Sequence, residues 1–402
     1  MRVAIIFGGR SVEHEISVLT AHQAMAALPS DRYTPYPVYI AKSGEWYTGS
    51  ALLDLNNFRK GLDALVAMAE PLQSRRIGGP QSASVSAKKQ RLPWLPARTE
   101  PRALEPIDVA IPLLHGSHGE DGTIQGLLEL ANVPYVGSGV AASAVGNDKV
   151  LSKALLRQAG LPVLPDVSCT RARWKNDPAG IVAEAERLFG YPVFVKPVTL
   201  GSSIGVNRAA DGASLRDAID VATVYDSRIM VEPAQENIVE INCAVLGDAS
   251  SACASVCEQP IASQMLSYED KYLQGGKDQG MKGSRRLIPA PLESGLTEDI
   301  RRIAVRAFQT IGASGVSRID FLVRPATGEF FINEINTLPG SLAFYLWEPT
   351  GLSFPALLTR LIEIALERHR EKQATTYSFD SSVLDASLAQ GAKLGGVKIA
   401  PR

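Results

Sequence analysis

The chain has 402 residues, 45% hydrophobic and 21% charged, a composition that suits a soluble globular protein long enough for two or three compact units. Its 41 Lys and Arg nearly cancel its 42 Asp and Glu, which excludes a global field favouring nucleic acid or an anionic membrane. No uncharged apolar stretch reaches the roughly 20 residues of a membrane span.

Residues 3–7 form a short apolar run that ends in Gly8-Gly9, too short for a signal peptide. The four cysteines, Cys169, Cys243, Cys253 and Cys257, form no CxxC pair and have no histidines at metal-ligand spacing. They read as free thiols, so a cytoplasmic protein is expected. The pattern over 11–28 predicts a helix and 36–40 a second strand, an order that suggests a parallel α/β unit. A third strand over 107–114 ends in His115-Gly116 and leads to a helix near 123–131. Ligands bind outside the carboxyl ends of strands in open α/β sheets, which puts Gly8-Gly9 and His115-Gly116 at the expected edge. Residues 52–105 read as an inserted loop or small subdomain rather than core. Helical patterning over 53–69 there gives way to a Ser-, Arg- and Pro-rich segment with no assigned chemistry.

A helix is predicted from Asp148 to about Ala159, stopped by Gly160. A strand over 191–196 leads into the glycine- and serine-rich TLGSSIG of 199–205 and returns from Val206, a hairpin with a flexible tip. A helix over 213–223 and a strand over 228–232 complete a second, smaller α/β unit. The third begins near Glu240 with two alternating strands, followed by a glycine-rich, charged stretch over 267–286. A helix over 296–311, strands over 316–323 and 329–335, and a helix over 354–370 follow, with 371–402 as an appendage. There is no internal repeat.

Arg318 and Asp320 share one strand face, and Glu334 and Asn336 share one face of the next. Two carboxylates and an amide oxygen on adjacent strands suit a hard cation such as Mg²⁺ held against phosphates, although either pair alone could be solvent-facing polar residues. Lys149 lies early in a helix, and Lys196 ends the strand before Gly201-Ser202-Ser203-Ile204-Gly205, where turn N–H groups can cradle phosphate oxygens. No GxxxxGK[ST] loop occurs, and an ordinary hairpin would also account for Lys196 alone. Gly137-Ser138-Gly139-Val140-Ala141-Ala142 fits a dinucleotide fingerprint, but no acidic residue ends a second strand about 20 residues on, so NAD is rejected.

GGRSVEHEIS, HGSHGEDGTIQG, VGSG…NDK, FVKP…GSSIGV, RID and NEINTLPG, in that order, resemble the D-alanine–D-alanine ligases. The resemblance implies a mixed α/β ATP-grasp fold with an N-terminal α/β substrate domain (1–147), a central domain (148–233), a C-terminal catalytic domain (234–370) and an appendage (371–402). ATP would lie between the central and C-terminal domains. It implies an ADP-forming ligation of two D-alanines through an acyl phosphate, in a homodimer that supplies peptidoglycan synthesis. Lys149 and Lys196 would hold the α- and β-phosphates, with Ser203 in the same phosphate hairpin. Glu232 would lie beside adenine, and Glu240 on the ribose. Asp320, Glu334 and Asn336 would coordinate two Mg²⁺ ions, for which Mn²⁺ could substitute. Glu13, helped by His115, would bind the first substrate's ammonium. Arg318 and the Gly340 N–H would form the oxyanion hole, while Ser202 and Tyr272 would latch onto Glu13 the loop that carries Lys271. Tyr345, beside Leu346, stands where the family usually has the serine that binds the second substrate's carboxylate. That leaves the acceptor open: D-alanine leads, D-serine or another amino acid is the alternative, and a non-catalytic nucleotide-binding homologue is a third reading.

Overall fold

The N-terminal strand β1 (Arg2–Gly8) is buried from Val3 onward, as a parallel strand covered on both faces must be. It pairs in parallel with β2 (Thr34–Ile40) and β5 (Val109–Pro112), and helix α1 (His14–Ala27) connects the first two. Gly8 turns the chain at φ 92°, where a Cβ would lie 2.2 Å from the Ile40 carbonyl oxygen, so only glycine fits. This computed structural model describes residues 1–72, 106–261 and 286–377, and the strands 393–394 and 397–398.

Two strands that the sequence did not announce, β3 (Trp46–Thr48), antiparallel to β2, and β4 (Glu70–Leu72), antiparallel to β3, give the order β4-β3-β2-β1-β5. The described part of the supposed insertion is a correction. Instead of one helix over 53–69 there is a 3₁₀ turn (Ser50–Leu53), α2 (Leu55–Phe58) and α3 (Leu62–Met68). Asp54 caps α2, and Gly61 at φ 92° breaks the helix before α3. Leu52 and Leu65 are 0% and 1% exposed and pack in the same core as Val3, Ile5 and Phe7. Residues 73–105 lie outside the described residues.

Helices α4 (Thr123–Leu130) and α5 (Val140–Asn147) follow β5. The glycine-rich 137–142 stretch leads into α5, with Gly139 at its N-cap. Asp148 caps α6 (Lys149–Gln158) through the N–H groups of Val150 and Leu151 and is itself held by Arg228. A second sheet, antiparallel throughout, has the order β6-β9-β7-β8, from β6 (Val167–Thr170), β7 (Val193–Pro197), β8 (Asn207–Ala209) and β9 (Arg228–Pro233). After the short α7 (Arg171–Asn176), α8 (Pro178–Phe189) and α9 (Gly212–Tyr225) cover its core with Ile181, Val182, Ala185, Leu215, Ile219 and Ala222.

The third sheet comprises β10 (Val239–Gly247), β11 (Ala252–Pro260), β12 (Arg286–Leu287), β13 (Gly315–Arg324) and β14 (Glu329–Asn336), in the order β12-β11-β10-β13-β14. The helix Ser294–Thr310 buries Ile300, Ile303, Ala304, Ala307 and Phe308 against one face, at the spacing of an amphipathic helix. The register sets a polar row across four strands, with Glu258 opposite Asn242, Asn242 opposite Asp320 and Asp320 opposite Glu334. A bulge in β14 follows, because Phe321 pairs with Ile332 rather than with Asn333. Ile332 and Ile335 are therefore both core residues although three positions apart. Residues Met1–Leu366 form one compact unit and Glu367–Arg402 another, the latter containing the antiparallel pair β15 (Lys393–Leu394) and β16 (Val397–Lys398).

Candidate active site

Lys196 at the end of β7 and Lys153 one turn after Lys149 on α6 both ion-pair with Glu232 of β9. Lys153 and Glu232 are buried, Glu232 at 1% exposure, and Lys196 is partly buried. Burial alone would raise the Glu232 carboxyl, but the two ammonium groups hold it down at about 2. Lys196 also donates to Asn333 Oδ1 at 3.0 Å. Lys149 donates to the Leu200 carbonyl at 2.9 Å and stands 3.5 Å from Glu334 Oε2. The two lysines thus reach from the second sheet and α6 to consecutive residues of β14. Without the bulge, Asn333 and Glu334 would face opposite sides.

Arg318 grips Asp320 with two parallel hydrogen bonds of 2.7 Å, and Asn336 Nδ2 donates to the same carboxylate at 2.9 Å. The Asp320 carboxyl is pushed up to about 6, chiefly by burial and further by Glu334 and Glu240, against the pull of Arg318. This surplus of carboxylate oxygen is the setting a divalent cation would relieve, so Asp320, Glu334 and Asn336 fit Mg²⁺ in donor chemistry. Glu240 is exposed at the start of β10.

Glu13 precedes α1, and Ser202 donates to its carboxylate from the turn between β7 and β8. Ser202 and Ser203 take left-handed backbone at φ 55° and 58°. A second strained turn follows Pro339-Gly340, where Ser341, Leu342 and Ala343 have φ of 51°, 54° and 50°. Helix α1 pins that turn. Ser341 Oγ donates to Gln23 Oε1 at 2.6 Å, and the Ser341 N–H points to Thr20 Oγ1 at 3.4 Å. Thr20 Oγ1 is also 3.0 Å from His115 Nε2, and His115 Nδ1 is 3.4 Å from Glu120. His115 is thereby linked through Thr20 to the backbone next to Gly340.

Beyond Gly340 the short helix Phe344–Trp347 buries Tyr345 and Leu346. Leu346 is a core side chain, so only its backbone can face a ligand. The Tyr345 hydroxyl donates to Glu258 Oε1 at 3.0 Å, Asn242 Nδ2 donates to the same oxygen at 3.0 Å, and Arg286 Nη1 donates to Oε2 at 3.2 Å.

Of the residues singled out in the sequence, Lys149, Lys196, Glu232, Asn336, Arg318, Asp320 and Glu334 are brought together, and Glu13 meets Ser202. Lys271 and Tyr272 lie outside the described residues. Sequence reasoning missed Lys153, Asn333, Thr20, Gln23, Glu258 and Arg286. The Lys149–Lys153 spacing, one helical turn, was a readable signal.

Residues 2–138 match the family model "D-ala D-ala ligase N-terminus" and residues 155–363 match "D-ala D-ala ligase C-terminus". A D-alanine–D-alanine ligase of Heliobacterium modesticaldum is 40% identical over 384 residues, 92% of this chain and 96% of the relative. One from Bacillus cytotoxicus is 37% identical over 386 residues, 94% of this chain and 99% of the relative. Among solved structures, the D-alanine–D-alanine ligase from Coxiella burnetii gives a TM-score of 0.72 at 31% identity, covering 93% of this chain and 97% of that one. The VanG D-Ala:D-Ser ligase from Enterococcus faecalis gives 0.71 at 28% identity, covering 90% and 99%. Fold and likeness together define an ATP-grasp ligase. The chain belongs to the D-alanine–D-alanine ligase family.

Proposed function

We propose that the protein joins two D-alanines into D-alanyl-D-alanine, converting ATP to ADP and phosphate, as a cytoplasmic homodimer that supplies peptidoglycan precursors. The observation that supports this most is the meeting of Lys149 and Lys196 with the β14 end of the carboxylate row, which sets cations for phosphates beside oxygens for a metal. ATP would lie between the second and third sheets, its phosphates on Lys149, Lys196 and the Ser203 turn, its adenine near Glu232 and its ribose on Glu240.

Glu13 binds the ammonium of the first D-alanine, with His115 beside it and Ser202 fixing its carboxylate. That substrate's carboxylate oxygen attacks the γ-phosphorus, the bond to the β-phosphate oxygen breaks, and an acyl phosphate forms. Asp320, Glu334 and Asn336 would hold Mg²⁺, which would supply positive charge against the transferring phosphoryl group. The second amine then attacks the acyl carbon, loses a proton, and inorganic phosphate leaves. Arg318 and the Gly340 N–H stabilise the oxyanion, an interaction whose loss costs about 10²–10³ in rate. Lys271 and Tyr272 complete the reading as closing groups.

A second reading, a different acceptor such as D-serine, is favoured by one observation: the hydroxyl at position 345 is bonded to Glu258. ADP release with Mg-ATP and D-alanine, against L-alanine and with mass spectrometry of the product, tests both. Formation of D-Ala-D-Ala from the D-isomer alone is expected. Turnover only with an added second amino acid would move the acceptor, and ADP release with no amino acid pair would end the ligase reading.

A further inference from the structure

The β7–β8 turn carries Ser202 and Ser203 in the left-handed region, and backbone of that kind persists only where its surroundings fix it. Lys149 supplies one tether, from its ammonium to the Leu200 carbonyl. That ammonium is also assigned to the phosphates, so its hold on the turn is shared with the ligand. A second tether has no such duty. Asp226 ends α9, and its Oδ2 accepts both the N–H of Thr199 at 2.8 Å and the Thr199 hydroxyl at 2.9 Å. Its Oδ1 accepts the N–H of Arg228 at 3.0 Å.

The anchor is itself held. Arg171 donates through Nη2 to the Asp226 carbonyl at 3.0 Å and through Nε to the Thr223 carbonyl at 2.8 Å, and its backbone N–H donates to the Ser227 carbonyl at 2.8 Å. Val198, next to Thr199, gives its N–H to the Arg228 carbonyl at 3.1 Å. The far end of the turn closes on the same corner. A Cβ on Gly205, at φ 73°, would lie 2.9 Å from both Pro197 Cγ and Tyr225 Cδ2. Both ends of the turn therefore rest on residues 225–228.

We propose that Asp226 is a positioning residue for the ligation: through Thr199 it fixes the β7–β8 turn, so that Ser202 meets Glu13 and Ser203 faces the phosphates. The inference rests on the ligase reading above. Asp226 touches no reacting atom in it and acts only through the turn. Its two bonds to Thr199 are charge-assisted and come from a backbone N–H and a side-chain O–H of one residue, which fixes direction as well as place. Ser202, three positions on, is bonded in turn to Glu13, so the turn is held at its base by Asp226 and at its tip by the donor-binding loop. Because one turn serves both substrates, loosening its base acts on both. Removing the Ser202 hydroxyl acts on the donor alone.

The test uses the full-length enzyme, with ATP and donor D-alanine varied separately, and calorimetric titration with a non-hydrolysable ATP analogue. Asp226→Asn keeps the shape but puts an amide NH₂ where a carboxylate oxygen accepted, so the N–H of Thr199 or of Arg228 loses its acceptor. The expected result is a fall of about tenfold in kcat/KM for ATP and for donor D-alanine alike, with the analogue bound about tenfold more weakly. Thr199→Val, which removes only the hydroxyl, should reproduce about threefold of this, and Thr199→Ser should restore it. In a Ser202→Ala background the effect of Asp226→Asn on the donor should shrink below about threefold, because the contact it positions is already gone, while its effect on ATP persists. Unchanged kinetic and binding constants in a folded Asp226→Asn, or full additivity with Ser202→Ala on the donor, would overturn the proposal. If Asp226→Asn does not fold, Thr199→Val and its rescue by Thr199→Ser carry the test, and constants unmoved by Thr199→Val defeat it equally. Absence of ligation in wild type would defeat the ligase reading instead, and the two failures are distinguishable.

Discussion

Ser202 donates a hydrogen bond to Glu13 across 189 positions of sequence, closing the β7–β8 turn onto the loop that precedes α1. The acceptor is a carboxylate, so the bond belongs to the stronger, charge-assisted kind. Ser202→Ala is expected to lower kcat/KM for donor D-alanine roughly 10- to 100-fold, while the KM for ATP stays near that of wild type. Steady-state kinetics with each substrate varied separately would check this, and an equal change in both constants would count against the pairing.

Acid stability should follow Glu232. Its carboxyl is held at about 2, against an ordinary value of 4.5. A lowered pKa in the folded protein contributes stability above the unfolded value, and that contribution is lost as pH falls from 4.5 towards 2. The amount at neutral pH is of order 3 kcal/mol. Melting temperatures from pH 7 to 3 should fall more steeply for wild type than for Glu232→Gln, which starts lower because Lys153 and Lys196 then share no anion. Parallel pH profiles for the two proteins would rule this out.

Thr20→Val keeps the shape of the side chain and removes its oxygen. The Ser341 N–H and His115 Nε2 would lose their shared partner in a buried setting, at about 1–3 kcal/mol. The left-handed turn at 341–343 should then relax, and kcat should fall about tenfold with little change in the KM for ATP. Thr20→Ser should restore most of the rate. Failure of that rescue would show that the hydroxyl is not what matters.

Asp320→Asn removes one expected metal ligand and releases the clamp on Arg318. The expected result is a fall in kcat of about 10³ and a higher Mg²⁺ requirement, together with about 3–5 kcal/mol of lost stability from the broken buried pair. A Mg²⁺ titration of ADP release, run beside thermal melts, separates the two effects. A variant with normal Mg²⁺ dependence would remove Asp320 from the metal set. Chelation by EDTA should silence the wild-type enzyme.

The parts of the fold that could be read in advance were those written in contiguous residues. The buried run of β1, the glycines at its end, the capped start of α6 and the RID and NEIN strands all signal locally. Strands β3 and β4 are three residues each, too short for alternation to register. Residues 52–72 read as part of an insertion because they run into a Ser-, Arg- and Pro-rich segment, yet Leu52 and Leu65 reach the core. The Asp320–Glu334 half of the polar row is legible in the RID and NEIN strands, whereas Glu258 and Asn242 join it only once four strands take their register. Lys153 draws its meaning from Glu232, which arrives from a strand 79 positions away. Thr20 and Gln23 lie on a helix whose partner turn is more than 300 positions away.

The irregularity at Asn333 makes the length of β14 a functional quantity in its own right. Deleting that one residue would mend the ladder and keep every hydrophobic side chain in place. It would also leave Lys196 without its amide partner, while Glu334 stayed opposite Asp320. A shortened strand would therefore regain an unbroken ladder and lose the contact that ties Lys196 to β14.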